Sequence, residues 1–505
     1  MKKVALLSVS DKTGIVELAK KIHKHGYDIL ATGNTAKIIE ESGIKCIGVE
    51  DFASFPEIFS GRVKTLQPKI FGGILMRREN SSDQKEAEIN SVIPIDIVCV
   101  NLYPFPQVVN RDDIDLEEKI ENIDIGGPSL IRAAAKNFKY VSVLTNPSQY
   151  LSFTDELDSG EISLATREKL ASAAFAHTSY YDTVIADYFE SQFIDEKSAI
   201  RYDLPIKKKL RYGENPHQEA FISGDFYDYF EVLHGKELSY NNIVDLHAAL
   251  DLVNELDPAS CAIIKHTNAA GAASGSNVLD AYQKALSGDP VSAFGGIVAF
   301  NTTVDKDTAE KLNEIFLEII IAPDYNEEAL DILKKKKNRR LLKVKKNDLD
   351  TKYTVKNIPG GLLVQTVDNS SSHELELKTV TEEKPSDKEL DDLKFAWIIC
   401  KHTKSNAIVY VKDRKVLGVG AGQMSRIDSA KIAAMKAAEH GHSLEGAVAA
   451  SDAFFPFADG IQEIIKNGIK SIIQPGGSVR DSEVIEAANE NSVSMVFTGI
   501  RNFKH

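Results

Sequence analysis

The chain has 505 residues, 43% of them hydrophobic and 27% charged, with a formal net charge of -14. That length suggests roughly two to four domains of ~150 residues, each able to bury a core without staples. The acidic balance argues against a non-specific hold on nucleic acid or an anionic membrane, so any anionic ligand must be met by local positive charge.

The apolar stretch Val4–Val9 behind Met1-Lys2-Lys3 is too short for a secretory signal and soon meets Asp11. No apolar run approaches the ~20 residues of a membrane-spanning helix. Cys46, Cys99, Cys261 and Cys400 lie far apart, and Cys99 and Cys261 sit inside apolar runs. Without a Cys-x-x-Cys pair no metal site is expected, and the pattern predicts reduced thiols in a cytoplasmic protein. The one strongly basic run, Lys334–Lys337 with Arg339 and Arg340, reads as a solvated helix end or loop rather than a nucleic-acid patch.

In chain order, Lys3–Ser8 predicts a strand, and Gly14–His25 a helix with Ile15, Leu18, Ala19 and Ile22 on one face. Tyr27–Ala31 is the next strand and Thr35–Glu41 the next helix. Asp96–Asn101 is another apolar strand, and Ser129–Asn137 a helix with Pro128 near its start. Such alternation predicts a parallel sheet covered by helices. It lapses over Phe193–Pro205, where the first domain boundary is placed at Asp203-Leu204-Pro205.

Beyond it, Ile243–Glu255 and Ala430–Glu439 predict helices, while Cys261–Ile264, Gly296–Phe300, Ala407–Val411 and Lys415–Gly420 predict strands. The polar stretch Val367–Asp392 reads as a connection between two lobes; no short repeat is visible.

Two loops of the N-terminal part follow strands and carry ligand-type groups: Ser8–Gly14, with Ser10, Asp11 and Lys12, and Thr32-Gly33-Asn34-Thr35. Hydroxyls, a lysine and free N–H groups at helix starts make a phosphate cradle, although each loop alone reads as helix capping. Arg62-Val63-Lys64-Thr65 adds cations, and Asn101-Leu102-Tyr103-Pro104-Phe105 brings a phenol. Asp124-Ile125-Gly126-Gly127 leads into a helix on which Arg132 and Lys136 share a face, as either a solvent face or an anion and proton-transfer site.

Together the motifs SVSDKTG, RVKTL, NLYPF, DIGG and RAAAKN resemble the cyclohydrolase domain of the AICAR transformylase/IMP cyclohydrolase family of purine biosynthesis. The resemblance implies a methylglyoxal-synthase-like fold for residues 1–195 and a substrate, FAICAR, whose carboxamide nitrogen attacks its formyl carbon with loss of water. It implies Lys136 as proton donor or acceptor, with Asp124, Tyr103 and Lys64 around it. Ser10, Asp11, Lys12, Thr32, Gly33, Asn34, Thr35, Arg62, Thr65 and Asn101 would bind the nucleotide. A lysine among cations should have a lowered pKa, suited to acid–base work near neutrality.

In the second part, Lys265-His266-Thr267-Asn268 follows the apolar run Cys261–Ile264 directly. A buried strand ending on Lys-His reads either as a crevice beyond the sheet, with Gly271 letting the chain turn close to a ligand, or as a solvated strand cap at Lys265 beside a satisfied core histidine. Neighbouring strand residues point to opposite faces, so both side chains serve one site only if the strand ends at Lys265.

These residues, with Leu210–Gln218, Asp289–Gly296, Ser425–Asp428 and Ser451–Gly460, resemble the transformylase part of the same family over 204–505. That implies two cytidine-deaminase-like α/β lobes without catalytic zinc, and a formyl group passed from 10-formyltetrahydrofolate to the 5-amine of AICAR. His266 would be the base and Lys265 the oxygen stabiliser. Arg211, Tyr212, Asn268, Gly295, Glu318, Asn406, Phe454 and Arg501 would bind AICAR, and Arg426, Ile427 and Asp459 would face the folate. The resemblance also implies a homodimer, with structural potassium compatible. Ala269 stands where the family carries proline, which predicts a looser loop after His266.

A binding-only nucleotide sensor is the rival from another class, and three acid–base groups, Lys136, Lys265 and His266, argue against it. A lyase–deaminase fusion is the second rival; the missing zinc motif argues against that.

Overall fold

The computed structural model describes residues 3–196, 198–202, 204–346, 352–370 and 375–505. Asp203, in the predicted boundary, and residues 371–374, in the predicted lobe connection, lie outside them. The chain divides into two compact units, Met1–Asp203 and Leu204–His505.

The N-terminal unit is built on five strands, β1 (Lys3–Val9), β2 (Tyr27–Ala31), β3 (Cys46–Gly48), β4 (Ile97–Asn101) and β5 (Ser142–Leu144). Their order is β3-β2-β1-β4-β5, with every pair parallel. Residues Val4–Leu7 of β1 are buried, as a strand covered on both faces requires. Helix Ile15–Lys24 lays Ile15, Leu18, Ala19 and Ile22 against this sheet, the face expected from its spacing. Helix Gly126–Lys136 starts three residues before the predicted one, with Gly126 and Gly127 inside its first turn. The strand order reverses between β1 and β4, the place where such sheets open a ligand crevice beyond their carboxyl ends.

The C-terminal unit begins with a small hairpin, β6 (Ile206–Lys209) and β7 (Phe221–Ser223). Its main sheet has twelve strands in two matching halves. The first half comprises β8 (Phe230–His234), β9 (Ser260–Lys265), β10 (Asn268–Ser274), β11 (Ile297–Phe300), β12 (Ile319–Ala322) and β13 (Arg340–Val344). A separate exposed hairpin follows, β14 (Tyr353–Ile358) with β15 (Gly361–Thr366). The second half comprises β16 (Lys378–Thr379), β17 (Ile408–Lys412), β18 (Lys415–Gly420), β19 (Val448–Ser451), β20 (Ser471–Gln474) and β21 (Ser494–Phe497).

Read inward from the edge, the halves run β8-β13-β12-β11-β9-β10 and β16-β21-β20-β19-β17-β18. In both, the pairings are antiparallel, parallel, parallel, antiparallel, antiparallel. The two central hairpins meet through Ala273 and Lys415. Both halves also interleave strands and helices in the same chain order, so two copies of one supersecondary plan make one sheet. Part of the predicted lobe connection belongs to the second copy, which takes β16 and the start of helix Asp387–Lys401 from it.

Alternation along β9 divides two cores. Ala262 and Ile264 face a cluster shared by both copies, with Leu246, Trp397 and Ile399. Cys261 and Ile263 face another with Ala281 and Tyr282.

Candidate active sites in two cavities

In the N-terminal unit a cavity of about 910 Å³ opens at the carboxyl ends of β1, β2 and β4. It is lined by Ser10, Lys12, Thr32, Gly33, Asn34, Thr35, Arg62, Lys64, Thr65, Asn101, Tyr103 and Asp124, so residues scattered over more than a hundred positions converge. Asn101, last residue of β4, accepts from the N–H groups of Ser10 (2.5 Å) and Asp11 (2.9 Å), and so fixes the loop after β1. Asp11 itself is exposed and braces this loop rather than lining the cavity. Thr35 is buried, its hydroxyl 3.1 Å from the Val9 carbonyl, which makes it a tie between loops more than a free contact.

Three cations enter differently. Lys12 folds its ammonium onto the Val9 and Ser10 carbonyls, and burial pulls its pKa below the ordinary value. Lys64 pairs with Glu57 at 2.5 Å, and Arg62 pairs with Glu121. Glu57 and Glu121 were not anticipated; no local pattern in the sequence marks an acid that answers a cation from another loop.

Asp124 stands just before helix Gly126–Lys136 and accepts from the Gly127 N–H at 2.7 Å. Its pKa is raised, burial outweighing the backbone N–H groups that favour the anion. A Cβ on Gly127 would overlap this carboxylate, so glycine there lets the acid seat against the helix start. Tyr181, from the long helix Leu164–Phe193, accepts from the Asp124 N–H at 2.9 Å. Lys136 does not join this cavity in the single chain. It is exposed at the far end of the helix that follows Asp124, ~15 Å from the helix start at 1.5 Å per residue.

In the C-terminal unit, Lys265, His266 and Asn268 line a cavity of about 240 Å³ between the central hairpins and helix Arg426–Glu439. Strand β9 does end at Lys265, but no open loop follows. His266 (φ 51°) and Thr267 (φ 62°) form a two-residue hairpin turn, and Asn268 already begins β10. Ala269 is therefore paired in a strand opposite Ile264, not in a loosened loop. Gly271 makes no turn either. Its missing Cβ leaves room for the Ala285 carbonyl, so that helix Val278–Gly288 packs on β10.

Lys265 donates to the carbonyls of Gly295 (3.0 Å) and Phe294 (3.3 Å). Gly295 has φ 70°, and its own N–H donates to the Phe316 carbonyl at 2.7 Å. Glu318 lies one step on, its N–H on the Gly296 carbonyl at 3.1 Å. Its carboxylate takes Arg340 and Asn242, each at 3.1 Å, so one arginine of the predicted basic run works inside the fold. Arg339 is buried as well, donating to Asn313 and the Leu312 carbonyl, whereas Lys334–Lys337 are exposed.

Asn268 holds the Lys404 N–H at 3.1 Å, tying the turn to the stretch before Asn406. The C-terminal segment is pinned to the same region rather than frayed. Asn502 donates to the Asp452 carbonyl (3.1 Å), and Ser405 and Lys504 exchange bonds of 2.9 and 3.0 Å. Arg501 and Phe454 are thereby carried on neighbouring loops, outside the cavity of Lys265. Arg211 and Tyr212 form a further group, stacked at 4.8 Å. Asp459 is exposed and Ile427 half-buried.

Arg426 is held within the fold, donating to Ser451 (2.9 Å) and to the fully buried Asp452 (2.8 Å).

The AICARFT/IMPCHase bienzyme model matches residues 134–436, and an MGS-like domain model matches 14–129. The chain belongs to the AICARFT/IMPCHase bienzyme family. It is 52% identical to the bifunctional purine biosynthesis protein PurH of Persephonella marina over the whole of both chains. It is 49% identical to that of Thermoanaerobacter sp. and 48% to that of Caldicellulosiruptor bescii, again over full lengths. The MGS-like match falls on the parallel-sheet unit, in line with the α/β fold expected for a bienzyme of this family. No group of metal-ligating side chains and no helix long and apolar enough to cross a membrane occurs among the described residues.

Proposed function

We propose that the two reactions of this bienzyme are divided between its units: ring closure of FAICAR to IMP in Met1–Asp203, formyl transfer to AICAR in Leu204–His505. The observation that carries the division is that each unit holds its own cavity, one with Lys64, Tyr103 and Asp124, the other with Lys265 and His266.

In formyl transfer the AICAR 5-amine attacks the formyl carbon of 10-formyltetrahydrofolate, and the folate nitrogen leaves. That amine is conjugated and weakly nucleophilic, so a base must take its proton during attack. His266 is assigned this role. Lys265 spends two of its three N–H donors on carbonyls, and the third is free for the oxygen on which charge develops.

In ring closure the carboxamide nitrogen attacks the formyl carbon and water departs. Holding the two groups together supplies much of the rate. Asp124 suits proton exchange because its pKa is already raised, and Tyr103 and Lys64 flank it. Ser10, Lys12, Thr32, Asn34 and Arg62 are assigned to the phosphate and ribose. Lys136 would act only from a second copy.

A homodimer is part of this proposal. The AICAR contacts Arg211, Glu318, Asn406, Phe454 and Arg501 fall outside the Lys265 cavity, which supports a site completed across a subunit boundary. Hairpin β14–β15 exposes Val355, Leu362 and Leu363, apolar surface suited to a partner. Ile427 and Asp459 are assigned to the folate. A cytoplasmic location is supported by four buried free thiols, with burial pushing Cys46 up to about 11 and Cys99 up to about 12.

The test is to supply purified protein with AICAR and 10-formyltetrahydrofolate and follow tetrahydrofolate and IMP separately. Both should accumulate. Tetrahydrofolate without IMP, or neither, would refute the bifunctional assignment.

A further inference from the structure

The duplicated plan of the C-terminal unit places a second hairpin turn where the first carries Lys265 and His266. In the first copy, Lys265 ends β9, His266 and Thr267 make the turn, and Asn268 begins β10. In the second, Lys412 ends β17, Asp413 (φ 53°) and Arg414 (φ 51°) make the turn, and Lys415 begins β18. Lys412 donates to the Glu445 carbonyl at 2.8 Å, just before Gly446 (φ 68°), as Lys265 donates beside Gly295 (φ 70°).

The match extends to one carboxylate in each copy. Asp245, on helix Tyr240–Asn254, accepts from the N–H of His266 at 3.2 Å and of Thr267 at 2.7 Å. Asp392, on helix Asp387–Lys401, accepts from the N–H of Asp413 at 2.9 Å and of Arg414 at 2.6 Å. Each acid is the sixth residue of its helix, and each bridges both central N–H groups of its turn.

Both turns need this help. A two-residue turn with both residues at positive φ favours Asn-Gly or Gly-Gly, and no glycine occupies either one. His266 and Thr267 have β-carbons, and Thr267 is β-branched, so the left-handed conformation costs energy that the surroundings must repay. An ionised carboxylate bridging two N–H groups does so through charge-assisted bonds.

We infer that Asp245 is a positioning residue for formyl transfer, holding the backbone of His266 in the one conformation that sets this residue at the cavity it lines with Lys265. It touches neither substrate nor reacting atoms in this assignment. Asp392 does the same work at a turn with no histidine, so the device belongs to the fold and was put to catalytic use in one copy only.

The inference rests on the role assigned to His266, and five variants of the full-length chain separate the two claims. His266→Gln is measured first; near-normal formyl transfer would sink the role of His266 itself. With that role upheld, Asp245→Ala should lower kcat for formyl transfer by about 10- to 100-fold, the scale of a small misplacement of a reacting group. KM for AICAR should stay within about threefold. In the His266→Gln background Asp245→Ala should cost almost nothing more, because two residues acting through one group are not additive. Asp245→Asn, which keeps one acceptor oxygen, should recover part of the loss. Asp392→Asn should lower the unfolding temperature and leave kcat unchanged. Far-ultraviolet circular dichroism and a cooperative thermal melt of the same preparations report that the C-terminal unit has folded. Unchanged kcat in Asp245→Ala, a full further loss in the His266→Gln background, or an equal kcat loss in Asp392→Asn would each overturn the positioning role.

Discussion

The two cavities are assembled in different ways. In the N-terminal unit a parallel sheet reverses its order between β1 and β4, and loops from three adjacent strand ends fall into one cavity of about 910 Å³. In the C-terminal unit the candidate pair Lys265 and His266 sits on a tight antiparallel hairpin, beside a cavity of about 240 Å³ that leaves most expected AICAR contacts outside. A switch point in a parallel sheet gathers polar groups from one chain, because all strand ends face the same way. An antiparallel hairpin offers only its two turn residues and the strand ends beside them, so the remaining contacts must come from other loops or another copy.

The comparison breaks most sharply on single side chains. His266→Ala should cut formyl transfer by about 10²- to 10⁴-fold, the usual worth of a positioned general base, and leave cyclisation of supplied FAICAR intact. If both activities fell together, the sites would not be independent. Asp124→Asn should do the reverse, lowering cyclisation by about 10²-fold with formyl transfer unchanged, as measured on the two substrates separately.

A finer test uses concentration. If the second site is completed across a subunit boundary, dilution through dimer dissociation should lower the specific activity of formyl transfer severalfold, tracked beside mass by light scattering. Retained formyl transfer in monomers would overturn the shared site.

Packing gives a third contrast. Gly271→Ala would drive a methyl into the Ala285 carbonyl and should destabilise the C-terminal unit by about 1–3 kcal/mol, read by denaturant melting.

The smallest expected effect is on pH. The Asp124 carboxyl has a raised pKa, so the folded state holds its proton at pH values where the unfolded chain has released it. Stability should therefore fall as pH rises from the ordinary value of 3.8 through the raised one, and level off above it. Asp124→Asn should flatten that slope in pH-dependent melts.

The strand–helix order of the N-terminal unit, the lining of its cavity and the Lys-His pair were all legible in the chain. Each depends on local pattern: a period of 3.6 in Ile15–Lys24, continuous apolar runs at β1 and β4, polar residues directly after strands. Lys136 lies apart from the single-chain cavity, because a shared helix face says nothing about which end of the helix meets it. The pairing of Arg426 with Asp452 was not legible, because the two lie 26 positions apart with no periodicity to announce it. The duplication in the C-terminal unit left no visible repeat, since a fold can be kept by any residues that preserve burial and turn geometry.

Sequence alone determined the alternation of elements and the family, because these depend on residue type and near-neighbour spacing. The tertiary structure decided that His266 rides a hairpin turn, that Asp245 braces it, and that Gly271 serves packing rather than turning. Those outcomes follow from contacts between residues distant in the chain, where geometry is set by how whole elements pack and no local pattern records it.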